Sequence, residues 1–411
     1  MPHIMKKISA TLLFLLFTVI FSYDVYACTS AIFTGKATKD GRPLMYKNRD
    51  TGELNNRLEY FSPGQGRIYG FIGLVNSPSK GGEVWAGSND AGFCIMNTAS
   101  YNLAIPEEKD LQDDEGKLMF RALSICRTIK DFETFLDTIT KPIRIEANFG
   151  VIDAEGGAAY YEVNTRNWKK YDANDPTIAP DGVLIYTNFS KGGRKDEGLG
   201  YIRYDIASKI IGDAINEKVK FSPYWIMENL SRSFYHSVLG TDLRKSDAPG
   251  NGWFIDQDYI SRKSTSAVSI FQGVNKGENP KNTIFWCALG YGPLAMLVPT
   301  FMTYPSELPS VMVKQGKKSS NCKMCNMSLA VKANIFPIKR GNGSKYFNFG
   351  KLYNSKGTGY AQKLAPYEKQ IADKSEELIS LLREDKLSLK NLKSFNSFVD
   401  KTASKAYGSL K

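Results

Sequence analysis

The stretch CTSAIFTGKATKDGRPLMYKNRD, residues 28–50, decides how the chain folds. Residues 29–35 and 42–49 are two apolar, β-prone runs, and Asp40-Gly41 between them is a strong hairpin signal. If that pair turns the chain, the second run comes back along the first. Asp50 then ends within a few residues of Cys28 across an antiparallel pair. What precedes the stretch matters as much. Lys6 and Lys7, an apolar run over 12–21 and Val25-Tyr26-Ala27 read as a secretory signal with its cut before Cys28. The apolar run is shorter than the roughly 20 residues a membrane span needs, and no later run of that length is free of charge. An exported chain with no integral membrane span is expected.

Outward from this hairpin the pattern stays strand-rich to about residue 310. Residues 81–99 read as a strand pair turning at Asn89-Asp90-Ala91-Gly92, and residues 149–153 and 158–163 flank a further turn. Short strands follow at 183–187, 266–274 and 283–289. Helical spacing of apolar residues appears over 117–126, 131–139 and 199–211. Hairpins interrupted by helices predict antiparallel sheets covered by helices, an α+β layering. Beyond residue 310 lysine becomes more frequent, and residues 365–382 and 387–399 read as amphipathic helices. The expected organisation is a signal at 1–27, a main domain at 28–310 and a partly helical extension at 311–411.

With 42% hydrophobic and 12% aromatic residues, the 411-residue chain has enough apolar mass for a real core. Removing residues 1–27 takes away two lysines and Asp24, so the formal charge falls from +12 to +11. That excess is spread out, and no nucleic-acid-binding signature accompanies it. A solvated basic surface is the expectation, with weak attraction to an anionic envelope as the alternative. Oligomeric state is not legible. Cys94, Cys126 and Cys287 sit in apolar contexts and read as small buried hydrophobes. Cys322-x-x-Cys325 has neither a second such pair nor a histidine nearby, so a local disulfide or two ordinary thiols is expected rather than zinc. No metal or cofactor is called for.

The chemistry centres on Cys28. A cysteine attacks as the thiolate and needs a proton acceptor. The chain holds only His3, which leaves with the signal, and His236, which lies in no recognisable motif. A cut before Cys28 supplies another base. An α-amine titrates at roughly 7.7–8.0 and is covalently attached to the nucleophile. It can take the thiol proton and return it to a leaving amine.

Cys28-Thr29-Ser30-Ala31-Ile32, Asp40-Gly41 and Lys47-Asn48-Arg49-Asp50 together resemble the linear-amide hydrolases of the N-terminal-nucleophile superfamily. That group contains the choloylglycine hydrolases, the penicillin V acylases and the isopenicillin N acyltransferase branch. The resemblance continues, in order, through Asn89-Asp90-Ala91-Gly92-Phe93, residues 148–162, residues 182–188 and Tyr201-Ile202-Arg203-Tyr204. It implies a four-layer αββα sandwich acting without a cofactor on a small-molecule N-acyl amide. It also implies roles: Cys28 as nucleophile, Asp50 orienting the amine, Asn188 donating to the oxyanion and Arg203 completing the charge network. Asn97, with Asn89 behind it, is a further lining candidate. Lys47 departs from the arginine carried three residues before the aspartate by bile-salt hydrolases and penicillin acylases, and it lacks that residue's planar fork. The Lys-Asn-Arg-Asp form is closer to the acyltransferase-like branch. Acyl transfer to an amine and dipeptide cleavage therefore stay open beside hydrolysis. A reading of another class uses the same residue: lipidation of Cys28 would make the chain an anchored binding protein, although Tyr26 is bulky for that motif.

Overall fold

A computed structural model describes residues 27–104, 111–112, 114–245, 252–317 and 320–410. The signal expected at 1–27 lies outside the described residues, apart from Ala27.

Two antiparallel sheets form the centre. The first contains β1 (Thr29–Phe33), β2 (Leu44–Asp50), β10 (Val183–Tyr186), β11 (Thr265–Gln272), β12 (Ile284–Leu289) and β13 (Val298–Phe301). Their order across the sheet is β10-β1-β2-β11-β12-β13. The second is a seven-stranded meander in chain order: β3 (Asn56–Phe61), β4 (Phe71–Asn76), β5 (Ala86–Asn89), β6 (Cys94–Ala99), β7 (Ala147–Ile152), β8 (Ala158–Val163) and β9 (Trp168–Asp172). The β1–β2 hairpin forms as expected, with Gly41 at φ +76° in the turn, where a side chain is disfavoured. Its register pairs Thr29 with Asn48 and Phe33 with Leu44.

Side-chain alternation along the meander explains the layering. Ile72, Leu74, Cys94, Met96 and Tyr160 enter one core with Phe33, Tyr46 and Tyr186 of the first sheet. Their neighbours Phe71, Val75, Ile95, Val151 and Tyr161 point the other way. There they meet α1 (Glu115–Ile125) and α2 (Ile129–Thr138) through Leu118, Met119, Leu123 and Phe132. Period-2 strands buried on both faces need a cover on each side. The outer face of the first sheet receives α3 (Tyr201–Asn216), α4 (Lys323–Ile335), α5 (Tyr360–Arg383) and α6 (Leu389–Gly408). The result is an αββα sandwich with a helical C-terminal end.

The helices start where their caps dictate. Thr128 and Asp131 form a capping box on α2, as do Ser388 and Asn391 on α6. The C-terminal helices are tied in by charge as well as by packing. Arg232 donates to both carboxylate oxygens of Glu368 on α5, at 2.6 and 2.9 Å. Glu368 also accepts from the backbone nitrogen of Leu297 at 2.8 Å. Among the described residues no helix is long and apolar enough to cross a membrane.

Candidate active site

Cys28 precedes β1 and is 7% exposed, at the wall of a cavity of about 220 Å³ between the two sheets. The first sheet contributes Lys47, Arg49 and Asp50 from β2, and the second contributes Asn76, Trp85 and Asn97. Glu53, Glu83 and Glu115 bring three carboxylates to the rest of the lining, beside Thr51 and Ala99. Every residue of β2 is buried, including its charged end, so the polar groups there must find partners inside the protein.

They do. The Lys47 ammonium donates to the Trp85 carbonyl at 2.9 Å and to Asn97 Oδ1 at 2.8 Å. Arg49 donates to Asn56 Oδ1 at 2.5 Å and lies 4.8 Å from the Trp85 ring centre. Asp50 Oδ2 accepts from Arg262 Nε at 2.9 Å, while Oδ1 accepts from Thr265 Oγ1 at 2.6 Å and Asn48 Nδ2 at 3.1 Å. Arg262 Nη2 also reaches the Ala27 carbonyl at 3.4 Å. The buried pair Asp50–Arg262 therefore adjoins the peptide bond that precedes Cys28.

Of the residues singled out in the sequence, Cys28, Lys47, Asp50 and Asn97 are brought together around this cavity. Arg203 and Asn188 stand behind it. The Arg203 guanidinium donates to the Cys28 carbonyl at 2.5 Å, to Thr29 Oγ1 at 3.0 Å and to Asn188 Oδ1 at 2.8 Å. Asn188 Nδ2 donates to the Ala99 carbonyl at 2.8 Å. Arg203 thus holds the carbonyl of Cys28, Asn188 braces Arg203 against β6, and neither lines the cavity. Asn89 is committed elsewhere. Its amide donates to the Leu123 and Cys126 carbonyls, and its Oδ1 accepts from the backbone of Ala91 and Phe93. It closes the β5–β6 turn onto α1. His236 accepts a turn bond from Leu239 at 3.4 Å, stands edge-on to Tyr259, and does not line the cavity.

Sequence reading missed Arg262 and Thr265. They lie 212 and 215 residues from Asp50 in the chain, and nothing around them forms a motif. Cys94, Cys126 and Cys287 are buried, as expected of small hydrophobes, and Cys322 and Cys325 are free thiols at the start of α4.

Burial lowers Lys47 to about 8, with Arg49 adding to the effect while Cys28, Glu115 and Asp50 oppose it. The sign for stability follows from linkage. Below pH 8 folded and unfolded chains both carry this proton, so the burial cost is fully present. Between about 8 and the ordinary lysine value of 10.5 the folded chain sheds it first, and stability rises with pH. Lys47→Met is expected to abolish that rise. Urea midpoints from pH 8 to 10 check this as the difference between wild type and variant; a flat difference would exclude a buried ammonium here.

No protein-family model matches the chain, and no curated protein sequence does. Among solved structures it is similar to an N-acylethanolamine-hydrolyzing acid amidase ortholog from Caenorhabditis elegans, at 14% identity and a TM-score of 0.41. That match covers 60% of this chain and 92% of the other. A mutant of conjugated bile acid hydrolase from Clostridium perfringens matches at 13% identity and a TM-score of 0.43, covering 67% and 92%. Penicillin V acylase from Agrobacterium tumefaciens matches at 12% identity and a TM-score of 0.38, covering 67% and 86%. The functional reading rests on the site's own geometry.

Proposed function

We propose that the chain is an exported amidase whose nucleophile is created by cleavage of the Ala27–Cys28 bond. The observation that carries this reading is the cavity itself: a thiol at its wall, a buried carboxylate–guanidinium pair adjoining the bond to be cut, and no histidine among the lining residues. While that bond is intact the Cys28 nitrogen is an amide and cannot accept a proton. Once it is hydrolysed, the same atom becomes an amine, and Asp50, which lines the same cavity, is the carboxylate assigned to orient it.

The reaction then runs in two halves. The α-amine takes the Cys28 proton as sulfur adds to the substrate carbonyl. Asn97 has its Oδ1 fixed by Lys47, which leaves Nδ2 to donate to the developing oxyanion. Collapse expels the amine, which receives the proton held by the N-terminus, and leaves a thioester on Cys28. Water, activated by the same amine, hydrolyses the thioester and regenerates the thiol. Arg203 contributes by holding the Cys28 carbonyl and the Thr29 hydroxyl, and Asn188 by holding Arg203.

A cavity of about 220 Å³, with charged side chains set among mostly apolar exposed surface, suits a compact acyl or amine group. It lies below the roughly 300–1,000 Å³ of sites that enclose larger ligands. Expression with the leader and intact-mass measurement test the reading. The expected product begins at unmodified Cys28 and releases amine from members of an N-acyl amide panel. A lipid adduct, or a free Cys28 with no turnover across the panel, would overturn it. Adding a second amine during turnover separates acyl transfer from hydrolysis.

A further inference from the structure

Helix α4 belongs to the C-terminal segment, yet it carries a charge into the shell of the active site. Lys332 is 4% exposed, and its ammonium donates to the carbonyls of Lys263 and Thr265, the latter at 3.2 Å. Those two carbonyls flank Ser264, in the turn that builds the Asp50 partners. Within that turn the Thr265 nitrogen donates to the Arg262 carbonyl at 2.8 Å, and the Arg262 nitrogen donates to Thr265 Oγ1 at 2.9 Å. Thr265 Oγ1 and Arg262 Nε then deliver their own hydrogen bonds to the two oxygens of Asp50. The Ser264 carbonyl accepts from Thr51, just past Asp50, at 2.9 Å.

The turn also sits at an irregularity in the sheet. Register between β11 and β2 shifts between Thr265 and Ala267, leaving Ser266 without a partner across the ladder. A bulge of this kind re-aims the side chains at its start and interrupts the ladder that would otherwise hold them. The backbone carbonyls of Lys263 and Thr265 are held instead by Lys332. The groups that face this ammonium are Asp256, Asp50, Cys325 and Lys263, with the Tyr291 and Phe336 rings at 5.4 and 6.0 Å. Burial pushes Lys332 down to about 8, so keeping an ammonium here opposes its desolvation. A methionine would fill the same space without that cost, but it has no protons to give the two carbonyls.

We infer that Lys332 is a positioning residue for the Cys28 reaction, holding the bulged turn so that Thr265 and Arg262 fix the Asp50 carboxylate beside the N-terminal amine. This rests on the amidase reading above. It assigns the C-terminal segment a part in the chemistry, acting through backbone outside the residues that line the cavity.

The test uses the mature full-length chain. Lys332→Met is expected to lower kcat about 10²-fold, the effect of misplacing a reacting group by an ångström or so, with KM little changed. It is also expected to displace the pH midpoint for iodoacetamide alkylation of Cys28, followed by the mass of the N-terminal peptide. Thr265→Val should displace the midpoint in the same direction. The double variant should lose no more than Thr265→Val alone, since both changes cut one chain of contacts. Should Lys332→Met fail to fold, Lys332→Leu, which likewise has no proton to give the two carbonyls, takes its place: a displaced midpoint supports the inference and a wild-type midpoint overturns it. Wild-type kcat and alkylation midpoint in Lys332→Met, with only a lower Tm, would make Lys332 a structural staple and overturn the inference. Failure of the wild-type mature chain to cleave any amide would instead remove the amidase reading on which it rests.

Discussion

Mature chain carrying Cys28→Ala is expected to lose amide turnover by about 10⁴-fold or more, the usual consequence of deleting a nucleophile from a cooperating set. Cys28 is the one thiol among the residues lining the cavity. The remaining cysteines are buried away from it. Burial raises Cys94 and Cys126 to about 12 and Cys287 still further, which keeps them as thiols near neutral pH. Nor can His236 substitute, because its ring is part of a turn elsewhere. Intact mass must first confirm that the variant is cut at the same bond. Initial rates on the best amide of the panel then decide. Turnover within about ten-fold of wild type would rule out Cys28 as the nucleophile. His236→Ala serves as the parallel control and should retain most activity.

Asp50→Asn is expected to be the most damaging conservative change in the site. The side chain of Asp50 is fully buried and that of Arg262 is 18% exposed. An ion pair this deep gains little over an apolar pair, but removing one partner strands the other charge at a cost of about 3–5 kcal/mol. Asparagine also turns an N–H donor toward groups that now donate to a carboxylate oxygen, either Arg262 Nε or the pair Thr265 Oγ1 and Asn48 Nδ2. The N-terminal amine loses the carboxylate that orients it, and a further loss of about 10²–10⁴ in kcat is expected if that amine is the general base. Urea unfolding and kcat separate the two effects. Adding Arg262→Leu to Asp50→Asn removes the stranded charge and should recover stability while leaving activity lost. A double variant no more stable than the single one would show that the pair is not what holds this region.

Much of the fold was legible because its signals are local. Asp40-Gly41 and Asn89-Asp90-Ala91-Gly92 mark turns through backbone conformations few residues adopt, and Gly41 and Gly92 both have positive φ. Strands β3 and β9 were not legible. In Asn56–Phe61 charged residues break the apolar pattern, yet Arg57 is buried because it donates to the carbonyls of Asn76 and Ser77. In Trp168–Asp172 two lysines mark an edge strand, which reads as loop. Helix α4 was not legible because its N-cap is a cysteine rather than one of the usual capping residues. Cys322 instead caps the helix by accepting from the Cys325 nitrogen and donates to the Asn56 carbonyl.

What the sequence by itself determined is the hairpin, whose one turn returns Asp50 to the cavity that Cys28 lines. Sheet register follows from alternation and turn type, and both act over a few residues. What only the tertiary structure decided is how each charge in that hairpin is compensated. Arg262 and Thr265 reach Asp50 from a strand more than 200 residues away, Asn97 reaches Lys47 across the gap between sheets, and Lys332 arrives from a C-terminal helix. Asn89 carried a suggestive sequence context, but it closes a turn, whereas Arg203 comes beside Cys28 through a backbone carbonyl. The reason is physical. A buried polar group must be satisfied by whatever the fold brings within about 3 Å, and sequence spacing holds no record of that distance.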